Sequence, residues 1–278
     1  MCGWYADIVA MRRIAVWLLP MLPLVQTPAS AEPVSQFHLT YDTYALGIEV
    51  MQMSAFFGMG PWNYQITLDY HTTGLVGFFY RGQQVNTVRG LWHDERPQPL
   101  EFFGEGVWHG QKRITLIDYD HDVPQVKRLE PPQHSEREPV PDSMQQGTMD
   151  TLSALAALMR QVATNGRCDA SAHTYDGRRV LELTARTGTV EDLEQTSRSI
   201  FHGDALRCDF EGRELAGFLI GDDNPENRRP LIGSAWLASV EPSAPPIPVR
   251  IAFQTHWFGW TTMYLTSTSN GAELLKQN

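Results

Sequence analysis

At 278 residues the chain is long enough for one large domain or two smaller ones, and its 32 acidic residues against 22 Lys and Arg give a formal net charge of -10. That balance argues against nucleic acid as a partner, because affinity for a phosphate backbone comes from lysine and arginine, and equally against docking on an anionic lipid surface.

The first element in the chain is a leader. Residues 11–31 read MRRIAVWLLPMLPLVQTPASA, in which Arg12 and Arg13 form a positive n-region, Ile14 to Val25 an apolar h-region, and Ala29-Ser30-Ala31 a small-residue cleavage site. Residues 1–31 are therefore expected to be a secretory signal peptide, with the mature chain starting at Glu32 and exported to the periplasm or beyond by the general secretory route. The apolar run is shorter than the ~20 residues that span a bilayer and is broken by Pro20 and Pro23, which argues against a membrane-spanning reading and leaves an uncleaved anchor as the alternative. Met11 is itself a candidate start, in which case the first ten residues fall outside the natural chain. Cys2 precedes the apolar run instead of following it, so it is not a lipoprotein acceptor.

Beyond the leader the dominant periodicity is two. Tyr64, Ile66, Leu68 and Tyr70 alternate with Gln65, Thr67, Asp69 and His71, and weaker alternation appears at Phe37-Leu39-Tyr41, Ile48-Val50, Leu181-Leu183 and Val249-Ile251-Phe253. Turns are expected at Gly58-Met59-Gly60-Pro61, Arg81-Gly82, His109-Gly110, Asp176-Gly177 and Glu211-Gly212. Tryptophans 92, 108, 236, 257 and 260 fit strands that bury large aromatic area. Residues 128–147, rich in proline and charge, read as a polar surface linker that cannot order itself independently, with a domain boundary there as the alternative. After it, Leu152, Leu155, Ala156, Met159 and Val162 share one face of a helix near 150–164, capped by Thr148 or Asp150 and ended by Asn165-Gly166. The expected fold is mainly β: a large curved antiparallel sheet, an open or half barrel, packed on that one main helix within a single domain over 32–278.

Export changes the reading of the remaining cysteines, Cys168 and Cys208. An even pair in an oxidising compartment is expected to form one structural bridge. A redox or metal site is the alternative, without a Cys-x-x-Cys or a Cys-His cluster at zinc spacing to support it.

Asp118, Asp120, His121 and Asp122 group three carboxylates and an imidazole, which is the donor chemistry of a cation site. An EF-hand loop starting at Asp118 requires glycine at its sixth position and glutamate at its twelfth, where this chain has Val123 and Leu129, so a polar hairpin tip is the plainer reading. Met51, Met53 and Met59 raise Cu(I), but two of them share one strand face and suit an adaptable core or apolar groove. No Gly-x-Ser-x-Gly, His-Glu-x-x-His, phosphate-binding loop or dinucleotide fingerprint occurs in the sequence, and no cofactor is implied. What stands out instead is apolar surface beside glycines: Phe56, Phe57 and Trp62 around one turn, Phe78 and Phe79 around the next. These five are expected to line the mouth of an apolar cavity.

Across the mature chain the sequence resembles the exported bacterial family catalogued as domain of unknown function 3108. The resemblance rests on Tyr41-Asp42-x-Tyr44 with Gly47, Thr72-Thr73-Gly74-Leu75-Val76-Gly77, Tyr119-Asp120, Gly147-Thr148-x-Asp150-x-Leu152-Ser153-Ala154-Leu155, Cys168-Asp169, Tyr175-Asp176-Gly177-Arg178-Arg179, Cys208, Trp236-Leu237-Ala238 and Pro248-Val249-Arg250-Ile251. The chain departs from the pattern at Asp120-His121-Asp122, which lacks a following glycine. The resemblance implies a secreted, mainly β protein with a single helix, similar in fold to the half-barrels of periplasmic lipoprotein carriers, and it supplies no catalytic residues. Three functions follow as expectations: a non-catalytic protein that binds a lipid, another apolar molecule or an envelope partner; an envelope hydrolase or metal-dependent enzyme; and an assembly or scaffold factor presenting a sheet edge.

Overall fold

The structure, a computed structural model, describes residues 35–108, 110–241, 244–255 and 259–270; the leader and cleavage site expected over 1–31 lie outside them. Its first half is a meander of β1 (Ser35–Ala45), β2 (Ile48–Met59), β3 (Asn63–Thr72), β4 (Gly82–His93), β5 (Arg96–Trp108), β6 (Gln111–Asp120) and β7 (Val123–Glu130), with a short helix α1 (Gly74–Phe79) between β3 and β4. Two helices follow, α2 (Asp142–Gln145) and α3 (Thr151–Asn165). The second half contains β8 (Ala170–Tyr175), β9 (Val180–Leu193), β10 (Gly203–Ala216), β11 (Leu231–Ala238), β12 (Ile247–Thr255) and β13 (Gly259–Asn270). All belong to one antiparallel sheet of 13 strands in the order β7-β6-β5-β4-β3-β2-β1-β13-β12-β11-β10-β9-β8. The two halves thus join where β13 pairs with β1, and the curved antiparallel sheet expected as an open or half barrel curls into a nearly closed barrel.

Alternation decides which side chains fill the barrel. On β1, Phe37, Leu39, Tyr41, Thr43 and Ala45 are buried while Gln36, His38 and Thr40 are exposed. Phe57, Tyr64, Ile66, Val88, Phe102 and Ile117 continue this lining round the wall into one core, and Leu152, Ala156 and Met159 of α3 complete it from inside. α3 packs against β3, β4, β5 and β8. Tyr41 buries its hydroxyl by donating to the Pro248 carbonyl at 2.7 Å, so even this polar group on the inner face is satisfied.

A sheet of this kind leaves two edges, on β7 and β8, and the chain between them closes the gap. Residues 128–130 of the expected polar surface linker belong to β7, and residues 131–147 bond to other parts of the protein. The Gly147 amide donates to Asp122 O beside β7, while Met149 N donates to His173 O and Met149 O accepts from Tyr175 N on β8. Arg137 forms an isolated bridge with Leu219, and its guanidinium reaches Glu214 at 2.9 Å and the Gly217 carbonyl at 2.7 Å. Arg113 clasps Glu136 through two bonds of 2.9 and 2.7 Å, and Arg178, 8 % exposed, donates to the Glu130 carbonyl at 2.7 Å. These bonds hold charged groups that are half-buried or better, where geometry and pairing matter far more than at an open surface. Gly217, at φ +85°, lies so close to the Arg178 carbonyl that a side chain there would collide with it.

Two expected local features differ. Glu211-Gly212 is no turn but the middle of β10, where Gly212 faces Leu183 closely enough that an added methyl would meet its Cδ2 at 3.2 Å. Leu75 to Phe79, expected at a strand end or turn, belongs to α1, with none of its residues buried.

α3 starts at Asp150, whose Oδ1 accepts from Ser153 N at 2.9 Å and whose Oδ2 accepts from the Ser153 hydroxyl. Ser153 in turn accepts from Tyr64 OH at 2.8 Å, which ties the first helical turn to the wall. Gly166, at φ +68°, ends the helix in the left-handed region. Just beyond it, Cys168 and Cys208 form a disulfide, packed with Val162 and Leu237 in a small second core.

The bridge closes a loop with a sequence separation of 40. In the chain-entropy account that contributes about 4 kcal/mol. Cys168→Ser is expected to lower the denaturant midpoint of the oxidised protein and leave that of the reduced protein nearly unchanged; equal midpoints for oxidised parent and mutant contradict this. Asp150 gives a second test. Burial pushes its carboxyl above the ordinary value, against the opposing pull of the Ser153 hydrogen bonds. A carboxyl raised on folding contributes stability that is fully present below its unfolded pKa and lost as pH rises through the folded one. Asp150→Asn keeps an acceptor for Ser153 N without titrating, so its stability relative to the parent is expected to rise as pH is raised from about 3 to neutrality. Parallel pH profiles in urea melts would rule the titration out.

Candidate cavity at one end of the barrel

Antiparallel connections alternate between the two ends of the barrel. One end carries the β2–β3, β4–β5, β6–β7, β9–β10 and β11–β12 connections; the other carries β1–β2, β3–β4 with α1, β5–β6, β8–β9 and β10–β11. At the first end a cavity of about 510 Å³ opens between the C-terminal half of α3, the start of β1, the end of β2 and the β11–β12 connection. Phe37, Met59, Met159, Ala163, Ala244, Pro245 and Pro246 supply its apolar lining, and Ser35, Ser239 and Arg160 its polar side chains.

Each wall has a local cause. Phe37 and Met59 point inward because both lie on the core-facing register of β1 and β2. Met159 belongs to the buried stripe of α3, and Arg160 follows it on the rim, its side chain 25 % exposed. The Arg160 guanidinium lies over the Trp92 ring, 4.5 Å from its centroid, and its Nε donates to Glu95 Oε2 at 3.1 Å. Trp92 is itself buried against Tyr64, with ring centroids 4.8 Å apart. The arginine is therefore held in place by a wall residue on β4 and a turn residue after it. Such a site has room for an apolar body, with one cation and the Ser35 hydroxyl to orient it; the Ser239 hydroxyl donates to the Ala244 carbonyl at 2.8 Å.

The five aromatic residues expected at a single mouth are not brought together. Neighbours on a strand point to opposite faces, so Phe57 is buried in the core at 2 % exposure while Phe56 lies on the outer face against His38. Trp62 is exposed on the β2–β3 connection at the cavity end, next but one to the lining residue Gly60. Phe78 and Phe79 sit on α1 at the opposite end, roughly 30 Å away along β3 at ~3.3 Å per residue. Both are more than 70 % exposed and meet edge to face with ring centroids 5.1 Å apart, and a second depression of about 530 Å³ at that end is bordered by His71, Gly77, Arg81 and Val107.

Asp118 and Asp120 lie on β6, while His121 and Asp122, at φ 48° and 62°, make the two-residue turn to β7. His121 Nδ1 contacts Asp120, and both are largely exposed. Among the described residues no group of three His, Cys, Asp or Glu is arranged to hold a metal ion. Met53 and Met59 pack against the core. The buried Tyr64-Ser153-Asp150 chain has no exposed member through which a substrate would be reached, and its bonds anchor the helix.

Sequence reasoning missed Arg160, Trp92 and the Pro245-Pro246 wall. The available signal was small: Arg160 is the one charged residue within the helical run 151–165.

No curated protein matches the chain. Among solved structures, the crystal structure of a beta-barrel-like protein of domain of unknown function DUF1849 from Brucella abortus aligns with a TM-score of 0.49 at 9 % identity, covering 85 % of this chain and 98 % of its own. The sequence pattern of the family described as "Protein of unknown function (DUF3108)" matches residues 36–266, and the chain belongs to that family.

Proposed function

We propose that this is an exported, non-catalytic carrier that shelters an apolar molecule, a lipid or a lipid-like group, in the cavity between α3 and the barrel wall. The observation that carries the reading is the cavity itself: about 510 Å³, within the range of small-molecule sites, with Phe37, Met59, Met159 and the Ala244-Pro245-Pro246 run among its lining beside Ser35, Ser239 and Arg160. Export is supported by the leader pattern of residues 11–31 and by the Cys168–Cys208 disulfide, which suits an oxidising compartment. No helix among the described residues is long and apolar enough to cross a membrane.

Native mass spectrometry of the mature protein taken from its own periplasm, followed by organic extraction, tests the reading. A stoichiometric apolar adduct is the expected result. Added ligand at about a hundred times its Kd should stabilise the protein by about 2.7 kcal/mol. Ala163→Trp, at an exposed rim position, is expected to abolish that shift while leaving the unliganded melting temperature within a few degrees. An empty protein whose melting temperature no lipid moves would overturn the proposal.

A further inference from the structure

Among the described residues that line the cavity, Arg160 is the one charged side chain, in a chain whose formal net charge is -10. A purely apolar cargo has no use for it there, and a core position would disfavour it. Its attachment is informative. The guanidinium is fixed by stacking on buried Trp92 and by one bond from Nε to Glu95, while its two terminal nitrogens donate to no described residue. Glu95 is 67 % exposed, so that ion pair is screened by water and readily displaced or shared. An arginine held in this way presents the paired N–H fork that matches a carboxylate or phosphate, next to an apolar chamber. Ser35, also on the lining, offers a hydroxyl, whereas the Ser239 hydroxyl donates to the Ala244 carbonyl at 2.8 Å.

We infer that the cavity selects an anionic amphiphile, an acyl chain ending in one oxyacid group, with the chain between Phe37, Met59 and Met159 and the head on the Arg160 fork. This rests on the carrier reading and adds to it a chemical class and a specificity residue. Because the head is a carboxylate or a phosphate, both must be tried against an uncharged chain of equal length.

The experiment is equilibrium binding of dodecanoate, dodecyl phosphate and dodecanol, each below its micellar concentration, to the oxidised mature protein and to Arg160→Gln, Arg160→Lys and Glu95→Gln. For the parent protein at least one anion is expected to bind about tenfold or more tightly than dodecanol, a difference of about 1.4 kcal/mol. The tighter of the two anions identifies the headgroup. Arg160→Gln should bring the anions down to the dodecanol affinity, with the circular-dichroism spectrum and the melting transition as the check that the variant is folded. Arg160→Lys should recover part of the preference, and Glu95→Gln should increase it by removing a competing carboxylate. If the parent binds all three equally, or if the preference survives in Arg160→Gln, the inference is overturned while the carrier reading stands. If none of the three binds the parent, both fall.

Discussion

The organisation of this protein depends on one constraint: a sheet that has not fully closed has two edges, and their backbone groups need partners. β7 and β8 are those edges, and they are joined by the stretch of chain that runs from one to the other. Gly147 bonds to the turn beside β7 and Met149 bonds on both sides of Thr174 in β8, so a few residues of irregular chain stand in for a missing strand. The arginines around them, Arg113, Arg137 and Arg178, pair with Glu136, Glu214 and the Glu130 carbonyl and fix the gap at one width. The seam is therefore polar in a barrel whose remaining lining is largely apolar.

The seam also determines where the helix goes. Met149 is held on β8 and Asp150 caps the helix one residue later, so α3 can only enter the lumen, where Ser153 meets Tyr64 on the far wall. A helix of fifteen residues fills part of that space and leaves an open cavity of about 510 Å³. The vacancy lies beside its C-terminal half, bounded by Met159 and Ala163, while its N-terminal half is embedded in the main core through Leu152 and Ala156. The disulfide beyond Gly166 holds the exit of the helix against β10, so both ends of the cavity-forming element are fixed to the wall. A cavity with fixed walls would lose little conformational freedom on taking up the apolar molecule proposed for it.

Much of this fold was legible from side-chain periodicity. Strand β3 could be read from Tyr64 to Tyr70, and α3 from its apolar stripe and its Asp and Gly caps, because these signals are local. What escaped was what depends on residues distant in sequence. Residues 131–147 look like solvated linker by composition, and they are ordered only because the β10–β11 connection and the edge strands bond to them. Gly212 looks like a turn and is a strand residue that makes room for Leu183. α1 is a single exposed turn and a half of helix, too short for a period to show. The candidate site was not legible as a place. The aromatic residues nearest in sequence are separated by strand alternation and by the length of β3, whereas Arg160, Trp92 and Met59 meet from three separate elements.

The pairing of β13 with β1 has a consequence for how the barrel is made. The strand at the C-terminal end of the described chain occupies a central place in the sheet, between β1 and β12. The meander of β1 to β7 forms by neighbouring hairpins alone, and so does the run from β8 to β12, but neither can join the other until β13 arrives. A chain delivered from its N-terminus forward therefore presents two incomplete sheets until almost all of it has emerged, and the long-range contacts that unite them come last. Up to that moment the inner faces of both halves, and the helix between them, remain accessible to whatever accompanies the chain to its destination.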